Sequence, residues 1–216
     1  SSFSTIEALV NFPMYVPRQN ITTFLVKYEI FKRILNIHGS IIEGGVGFGG
    51  GLMTWAQLSA IMEPTNHTRR IIGFDTFAGF PSVSKHDTAY PGMMKVDSQA
   101  EIEVCVKLYD QNRFVGHIPK VELVTGDATK TIPRYIQDNP HLVVSLLYLD
   151  FDIYDPTAVA IQSLLNRMPQ GAIIAFDELN MREWPGETIA ALLMLNLRTS
   201  KLERCAFGST ISWAQL

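Results

Sequence analysis

Short apolar runs alternate with segments of helical periodicity along most of the chain, and this alternation leaves few folds open to it. The predicted strands are 40–43, 70–75, 120–127, 142–150 and 171–178, and the predicted helices are 52–62, 129–137, 156–168 and 186–198. Such alternation is typical of βαβ units, whose parallel strands share one sheet that is covered by helices. We therefore predict an α/β, Rossmann-like fold with helices on both faces and the strand order 3-2-1-4-5.

Three segments lie outside the alternation. The short runs 201–207 and 209–216 are joined through Gly208 and predict a C-terminal antiparallel hairpin, which makes a mostly parallel sheet of seven strands. Residues 1–39 carry an amphipathic helix over 21–37, which we expect to cover a sheet face or to form a subunit contact in a homo-oligomer. Residues 76–118 form a long insertion, more typical of a lid than of a spacer. The 216 residues are predicted to form a single domain.

Composition and charge argue against several classes of partner. The formal net charge is −3 and Lys and Arg are not clustered, so nucleic acid is not an expected partner. The longest apolar run, around 142–149, is too short to span a bilayer, and residues 1–10 lack the features of a signal peptide. Cys105 and Cys205 show no metal-site spacing, and we expect reduced thiols in a cytoplasmic protein, with a single disulfide as the alternative.

Residues 42–51 read IEGGVGFGGG, directly between the first predicted strand and the first predicted helix. Glycines at such a turn let the backbone approach a ligand closely and direct helix N–H groups at it. The run fits two templates and could also be a turn without a ligand. Residues 45–50 satisfy G-x-G-x-x-G, the dinucleotide fingerprint. With Glu43 in front, the run also satisfies E-x-G-x-G-x-G, the loop of S-adenosylmethionine-dependent methyltransferases.

The end of the chain discriminates between the two templates better than Asp75 does. Asp75 ends the second predicted strand, where an acidic side chain can hydrogen-bond ribose hydroxyls in either family. A fifth strand followed by a helix and a hairpin resembles the class I methyltransferase sheet, whereas a dehydrogenase would need a second domain. The segment 125–128 (TGDA) would then lie beside the adenine, and Asp127 is also a candidate helix N-cap.

Five carboxylates follow the fourth and fifth predicted strands: Asp150, Asp152, Asp155, Asp177 and Glu178. Neighbouring strands are about 4.8 Å apart, so Asp150 should converge with Asp177 or Glu178 where the cofactor's methionine end is expected. Converging carboxylates repel one another, so either one of them holds a proton at raised pKa or a cation neutralises them. Oxygen ligands without cysteine or histidine favour magnesium, calcium or manganese.

We interpret Asp150, Asp177 and Glu178 as metal ligands and Asp152 as a proton acceptor. Asp152 lies on the same side as Asp150 if the chain is still extended there. Asp155 precedes Pro156 and is better explained as a helix cap. A metal lowers the pKa of a bound hydroxyl, and a nearby carboxylate can accept its proton. Because two adjacent hydroxyls could chelate such an ion, a vicinal diol on a sugar or a catechol is the expected acceptor.

Three motifs resemble the macrocin O-methyltransferase family, which methylates sugar hydroxyls of macrolide and aminocoumarin natural products. They are IEGGV at 42–46, GFDTFAGFP at 73–81, similar to the family's F-D-[ST]-F-x-G-[LF]-P, and LDFDIY at 149–154, similar to its L-D-x-D-x-Y. The resemblance covers about residues 40–187. It implies a class I methyltransferase with S-adenosylmethionine as cofactor, a magnesium ion on Asp150, Asp177 and Glu178, and Asp152 as base. The cofactor-binding residues are then Glu43, Gly44, Gly45, Val46, Gly47, Gly49, Asp75, Thr76, Gly126, Asp127, Ala128 and Asp150.

The chain departs from the family pattern at two points. The family's D-D-Y is Asp177-Glu178-Leu179 here, and Ile153-Tyr154 stands where some members have a histidine base. We expect methyl transfer to a hydroxyl of a sugar or glycosylated small molecule, with Asp150 and Asp152 carrying catalysis. Two alternatives stay open at this point: an NAD(P)-dependent oxidoreductase, and a non-catalytic module that binds S-adenosylmethionine.

Overall fold

The computed structural model describes residues 4–208 and 210–216, which form one seven-stranded sheet with helices on both faces. The strands are β1 (Ser40–Gly44), β2 (Ile71–Asp75), β3 (Val121–Thr125), β4 (Val144–Leu149), β5 (Ile173–Phe176), β6 (Leu202–Arg204) and β7 (Ser212–Gln215). The helices are α1 (Thr5–Val10), α2 (Arg18–Ile34), α3 (Gly50–Met62), α4 (Gln99–Asn112), α5 (Ala128–Asp138), α6 (Tyr154–Leu164) and α7 (Pro185–Met194). Ser209, the first residue of the second predicted hairpin run, lies outside the described residues.

The strand order is β3-β2-β1-β4-β5-β7-β6, which confirms the predicted order and the C-terminal hairpin. The first five strands pair in parallel, and β7 pairs antiparallel with both β5 and β6. Each parallel strand begins and ends close to its prediction. The last helix was predicted to reach residue 198 but ends at Met194, because Leu195 adopts extended backbone (φ −112°, ψ 144°) and packs against the core.

Neighbouring residues of the central strands belong to different cores. Ile41 and Leu146 pack on one face with α2, α3 and α4, whereas Ile42 and Leu147 pack on the other face with α5, α6 and α7. Successive side chains of a strand point to opposite faces, so a sheet covered on both sides requires apolar residues at every position. This is why the central strands are recognisable as continuous apolar runs.

The N-terminal segment covers the first of these two faces. Ile30 and Phe31 of α2 are fully buried in the core that also contains Trp55 of α3. The sheet-covering interpretation of the predicted helix is therefore correct. The preceding helix α1 differs, because it has no buried residue, and Ile6 and Val10 are 74 % and 75 % exposed.

The insertion divides into two parts. Helix α4 belongs to the helical layer, since Ile102 is buried and the Tyr109 hydroxyl donates a hydrogen bond to the carbonyl of Ala56 at 2.8 Å. The residues between β2 and α4 lie instead at the carboxyl ends of the strands. The prediction of a lid therefore concerns only residues 76–98, and it stays a prediction.

Arg69, just before β2, ties together the amino ends of the strands and the helices behind them. It is 3 % exposed. Its guanidinium group donates five hydrogen bonds, to the Glu63 carboxylate, the Ser145 hydroxyl and the carbonyls of Gly39, Ile34 and Ile37. Since a guanidinium group has five N–H donors, its hydrogen-bonding capacity is filled.

Two expectations from composition can be compared with the structure. Cys105 and Cys205 are both free thiols, which rules out the single disulfide. Among the helices of residues 4–208 and 210–216, none combines the length and the hydropathy needed to cross a membrane.

Candidate active site

A cavity of about 340 Å³ opens at the carboxyl ends of the strands. Strand order reverses between β1 and β4, the place where open α/β sheets bind ligands. The cavity walls come from the loops after the first five strands and from the insertion. The lining residues are Gly45, Val46, Gly47, Phe48, Asp75, Thr76, Gly79, Phe80, Pro81, Ser82, Met94, Val96, Gly126, Asp127, Ala128, Thr129, Asp150, Phe151, Asp152, Ile153, Pro156 and Glu178.

The glycine loop presses against the turn that follows β4. The Asp150 N–H donates to the Gly44 carbonyl at 2.8 Å, which continues the pairing of β1 with β4 past the strand ends. Gly45 has φ 83°, and a Cβ there would overlap the carbonyl oxygen of Asp150. Only glycine fits at this position, and its bare backbone faces the cavity. Gly49, at φ 85°, is the N-cap of α3 and does not line the cavity.

Asp75 holds the glycine loop in place. Its Oδ2 atom accepts hydrogen bonds from the N–H groups of Val46 at 2.7 Å and Gly47 at 2.8 Å, and its Oδ1 atom accepts from Phe77 N–H at 2.7 Å. Sequence reasoning assigned Asp75 to ribose hydroxyls and did not anticipate this loop-holding role. Asp75 and Thr76 both line the cavity, and their contact with the cofactor stays a prediction.

The loop after β3 lines the same cavity and starts α5. Asp127 Oδ1 accepts a hydrogen bond from Thr129 N–H at 3.0 Å, which confirms the N-cap interpretation. Gly126, Asp127 and Ala128 all face the cavity. This placement is compatible with the predicted contact to the adenine.

Glu43 lies beneath the glycine loop rather than on the cavity wall. It is 1 % exposed, and its Oε1 atom lies 3.3 Å from the ammonium nitrogen of Lys27, which is itself 4 % exposed. A Cβ on Gly51 would overlap Glu43 Oε1 and lie 2.7 Å from Lys27 Nζ. The ion pair therefore packs directly against the first turn of α3, and any effect of Glu43 on cofactor binding passes through the loop.

Lys27 is a residue that the sequence reasoning missed. Its ammonium group lies 3.6 Å from the centroid of the Tyr148 ring and 4.9 Å from that of Trp55, below the carboxyl edge of the sheet. A signal was present, because Lys27 shares one helical face with the buried Ile30 and Phe31. Lysine is almost never fully buried unless it is paired, so a lysine on such a face indicates a buried acid.

Asp150 and Asp152 both line the cavity, although not along a continued strand. Strand β4 ends at Leu149, and Asp152 has φ 62°, in the left-handed region. The assumption of an extended chain there is therefore wrong. A tight turn, closed by Ile153 N–H donating to the Phe151 carbonyl at 2.7 Å, brings Asp152 to the cavity. Its carboxyl group shares a hydrogen bond with that of Glu178.

Asp177 and Glu178 follow β5 and face different partners. Asp177 accepts a hydrogen bond from the Tyr148 hydroxyl and does not line the cavity, whereas Glu178 does. The Glu178 N–H donates to Glu187 Oε2 at 3.2 Å, and Glu187 is fully buried in the first turn of α7. Glu187 is a further acid of this cluster that the strand-end pattern did not predict, because it belongs to the next helix.

Burial raises the pKa of the carboxyl groups around the cavity. Burial and then the charge of Asp177 raise the pKa of Asp150 well above its ordinary value, while Lys27 acts in the opposite direction. Burial and then Glu178 raise the pKa of Asp152 to about 8. Burial also raises the pKa of Glu178 and Glu187. These groups hold protons at pH values where ordinary carboxylic acids are ionised.

The donor chemistry of the cluster fits a hard divalent cation. All the side chains are carboxylates, and Glu178 Oε2 is buried with no hydrogen-bond partner in the described part of the chain. The side chains do not surround a common point, since no group of three or more His, Cys, Asp or Glu among the described residues is arranged to hold an ion. Asp177 is turned to Tyr148, and Glu178 is shared with Asp152.

Comparison with known proteins identifies relatives of this chain. The sequence profile of the macrocin O-methyltransferase (TylF) family matches residues 28–191. The crystal structure of CalS11, a calicheamicin methyltransferase, has a TM-score of 0.95 and 35 % identity, covering 100 % of this chain and 86 % of that chain. The apo structure of CalS11, a TDP-rhamnose 3'-O-methyltransferase of calicheamicin biosynthesis, has a TM-score of 0.87 and 34 % identity, covering 100 % and 88 %.

A more distant structure shares the fold. The O-methyltransferase NovP has a TM-score of 0.69 at 17 % identity, covering 90 % of this chain and 79 % of that chain. None of the curated protein sequences matches the chain.

The strand order, the C-terminal hairpin and the glycine loop after β1 define a class I S-adenosylmethionine-dependent methyltransferase fold. Within that class, the chain belongs to the macrocin O-methyltransferase family, whose profile matches well over half of it, and it is an O-methyltransferase. Family membership decides between the two glycine-loop templates against the oxidoreductase.

Proposed function

We propose that the protein transfers the methyl group of S-adenosylmethionine to a hydroxyl of a sugar during the synthesis of a glycosylated natural product. The observation that carries the proposal is that the glycine loop and the carboxyl groups of Asp150 and Asp152 line one cavity. The similarity to CalS11, a TDP-rhamnose 3'-O-methyltransferase, supports a sugar nucleotide or a related glycoside as the acceptor.

Methyl transfer requires an oxygen nucleophile that loses its proton. A lone pair of the acceptor oxygen forms the new C–O bond while the C–S bond breaks, and the electron pair of that bond stays on the sulfur of S-adenosylhomocysteine. We assign the proton to Asp152, which lines the cavity at the turn after β4. Without an ion, burial and the neighbouring Glu178 raise its pKa to about 8, within the range that suits a general base.

We further propose that Asp150, Asp177 and Glu178 hold a divalent cation such as magnesium. When bound, the ion supplies positive charge that lowers the pKa of a hydroxyl beside it. The all-carboxylate donor set and the unpaired oxygen of Glu178 support this assignment. To take part, Asp177 would release the Tyr148 hydroxyl and Glu178 would release Asp152, and the second change leaves Asp152 free to accept a proton.

Turnover of TDP-rhamnose with S-adenosylmethionine tests the proposal. We expect a product heavier by one methylene group together with an equal amount of S-adenosylhomocysteine, both measured by mass spectrometry. Asp150→Asn should abolish metal-stimulated turnover with the fold intact. Asp155→Asn, on the same segment but off the cavity wall, is the matched control. Calorimetry that shows no binding of S-adenosylmethionine would refute the function, and full activity in chelator would refute the metal alone.

We also propose that the protein is a homo-oligomer that associates through α1. Isolated helices much shorter than about 12 residues are marginal in water, and α1 has six residues, none of them buried. A second copy of the chain is the partner that would cover Ile6 and Val10, which are exposed here. Light scattering should show a mass above that of one chain, and Ile6→Glu should reduce it. A monomer in the unmodified protein would contradict the proposal.

A cytoplasmic location is proposed from the cysteines. Cys105 and Cys205 are both free, and free thiols are typical of proteins in reducing compartments. Fractionation of the source cells tests this, and recovery outside the cytoplasm would contradict it.

A further inference from the structure

Residues 80–93, which we call the lid loop, leave the body of the protein and return to it at one point. The Phe80 N–H donates to the Met93 carbonyl at 3.0 Å, and the Gly92 N–H donates to the Phe80 carbonyl at 2.8 Å. These two bonds close the base of the loop. Phe80, Pro81 and Ser82 line the same cavity as Asp152, so this base forms part of the cavity wall.

The tip of the lid loop is held by the Asp87 carboxylate and the Thr88 hydroxyl. Asp87 Oδ1 accepts a hydrogen bond from the Tyr154 N–H at 2.8 Å, and Asp87 Oδ2 accepts from the N–H and the hydroxyl of Ser84, both at 2.8 Å. Thr88 donates to the carbonyl of Glu183. The tip is therefore bonded both to the start of α6 and to the loop that follows β5.

Asp87 does for α6 what a local capping residue does for other helices. Tyr154 is the first residue of α6, and the N-cap residue Ile153 has no side-chain acceptor. The first N–H groups of a helix have no partner within the helix, and a carboxylate is favoured there by the helix dipole. Asp87 supplies this acceptor from 67 residues earlier in the chain.

Gly186 leaves room for this bond. A Cβ on Gly186 would overlap Asp87 Oδ1 and lie 2.5 Å from the Tyr154 nitrogen. The start of α7 is thus packed against the bond between the lid loop and α6. Three segments that are distant in sequence meet at one hydrogen bond, two residues after Asp152.

We propose that Asp87 is a positioning residue that holds the lid loop and the Asp152 turn in one arrangement. Asp152 has φ 62°, in the left-handed region that residues other than glycine adopt uncommonly and aspartate more readily than most. The bond from Tyr154 fixes the chain just after this turn, while the same carboxylate fixes the lid loop beside the cavity. The inference rests on the proposed function, because it takes Asp152 as the proton acceptor and places the methyl acceptor on the side of the cavity that the lid loop forms.

The role of Asp87 in holding the lid loop against α6 can be tested without a methyl acceptor. Hydrogen exchange is measured on the protein with S-adenosylhomocysteine added, for the unmodified chain and for Asp87→Ala. Loss of a hydrogen bond to a charged group should speed exchange of the Tyr154 amide and of residues 80–93 about tenfold. Equal exchange in the two proteins would show that Asp87 does not hold the lid loop against α6, whatever the methyl acceptor is.

Kinetics with TDP-rhamnose as probe test the positioning role. Asp87→Ala should raise the acceptor KM about tenfold and lower kcat, with the Kd for S-adenosylmethionine changed less than about twofold, since the hydrogen bonds of Asp87 in the described part of the chain join it to Ser84 and Tyr154 and not to the glycine loop. Asp87→Asn keeps an oxygen that can accept from Tyr154 and should recover most of the loss. Gly186→Ala crowds the same bond from the other side. It should likewise raise the acceptor KM and leave the Kd for S-adenosylmethionine nearly unchanged.

Asp138→Ala is the matched control, because that carboxylate is 67 % exposed at the end of α5, and its kinetics should equal those of the unmodified protein. A lowered melting temperature with unchanged KM and kcat in both Asp87→Ala and Gly186→Ala would overturn the positioning role. Absence of turnover in the unmodified protein would count against the proposed methyl acceptor. The exchange result would still decide whether Asp87 holds the lid loop against α6.

Discussion

The amino edge and the carboxyl edge of the sheet hold buried charge in opposite ways. At the amino edge, Arg69 has an acceptor for each of its five N–H donors. At the carboxyl edge, Asp150, Asp152 and Glu178 face a cavity with their pKa values raised by burial. The first arrangement stabilises the fold. The second is unfavourable to stability, and such arrangements are concentrated where chemistry takes place.

Arg69→Met tests the amino edge and should have the largest effect on stability. The substitution removes the hydrogen bonds that Arg69 donates to the Glu63 carboxylate and to the carbonyls of Ile34 and Ile37. Removing one partner of a buried ionic network costs about 3–5 kcal/mol, so we expect a loss near the upper end in urea unfolding. Methyl transfer per folded molecule should be unchanged.

Arg70→Met is the matched control for this prediction. The neighbouring arginine pairs with Glu122, and the two side chains are 38 % and 36 % exposed. Exposed pairs contribute about 0–1 kcal/mol, so the unfolding free energy should hardly change. Equal losses for the two arginines would show that the filled donors of Arg69 are not what stabilises the amino edge.

Lys27→Met tests whether the carboxyl edge contains one stabilising charge of its own. The substitution leaves Glu43 buried without its ion pair, at an expected cost of about 3 kcal/mol. Burial raises the pKa of Glu43 and Lys27 opposes this, so without Lys27 the carboxyl group takes up a proton more readily. The loss of unfolding free energy should therefore be smaller in acid than at alkaline pH.

Two further variants sharpen the interpretation of Lys27. The double variant Lys27→Met/Glu43→Gln removes both charges and should recover most of the stability. Lys32→Met, on the same helix but in an exposed pair with Glu29, should unfold like the unmodified protein. If the double variant is no more stable than Lys27→Met, the ion pair is not the cause of the loss.

The fold was largely predictable from the sequence because the central strands are buried on both faces. A strand such as β4, with every residue buried, appears as an uninterrupted apolar run. Parallel strands also end at one edge of the sheet, which is why Asp150, Asp152 and Glu178 could be placed at a common site before the structure was known. The order of the strands then followed from the rules of doubly wound sheets.

The contacts that position the site were not predictable, because they join residues far apart in the chain. Lys27 lies 16 residues before its partner Glu43, and Asp87 lies 67 residues before Tyr154. Local pattern indicates at most that a buried lysine needs an acid, and it carries no information on which distant residue is the partner. Asp152 faces the cavity as expected, but the tight turn that brings it there was missed, because periodicity along a strand ceases to apply where the backbone enters the left-handed region at φ 62°.

Asp152→Asn should change stability in the opposite direction to the two edge variants above. The substitution removes a carboxyl group that burial disfavours in its charged form, so the variant should unfold at a higher temperature than the unmodified protein at pH above about 8. Its turnover should fall about 10²–10⁴-fold, as expected for loss of a general base. Asp155→Asn is the control for both measurements. Unimpaired turnover in Asp152→Asn would remove Asp152 from the reaction.

The pH dependence of stability in chelator tests the protonated carboxyl groups of the carboxyl edge directly. Asp152 has a folded pKa of about 8 against an ordinary value of 3.8, so the folded state binds the proton more tightly than the unfolded state. The stabilisation linked to this proton is complete below pH 3.8 and is lost as the pH rises towards about 8. The excess stability of Asp152→Asn over the unmodified protein should therefore grow with pH and level off above about 8.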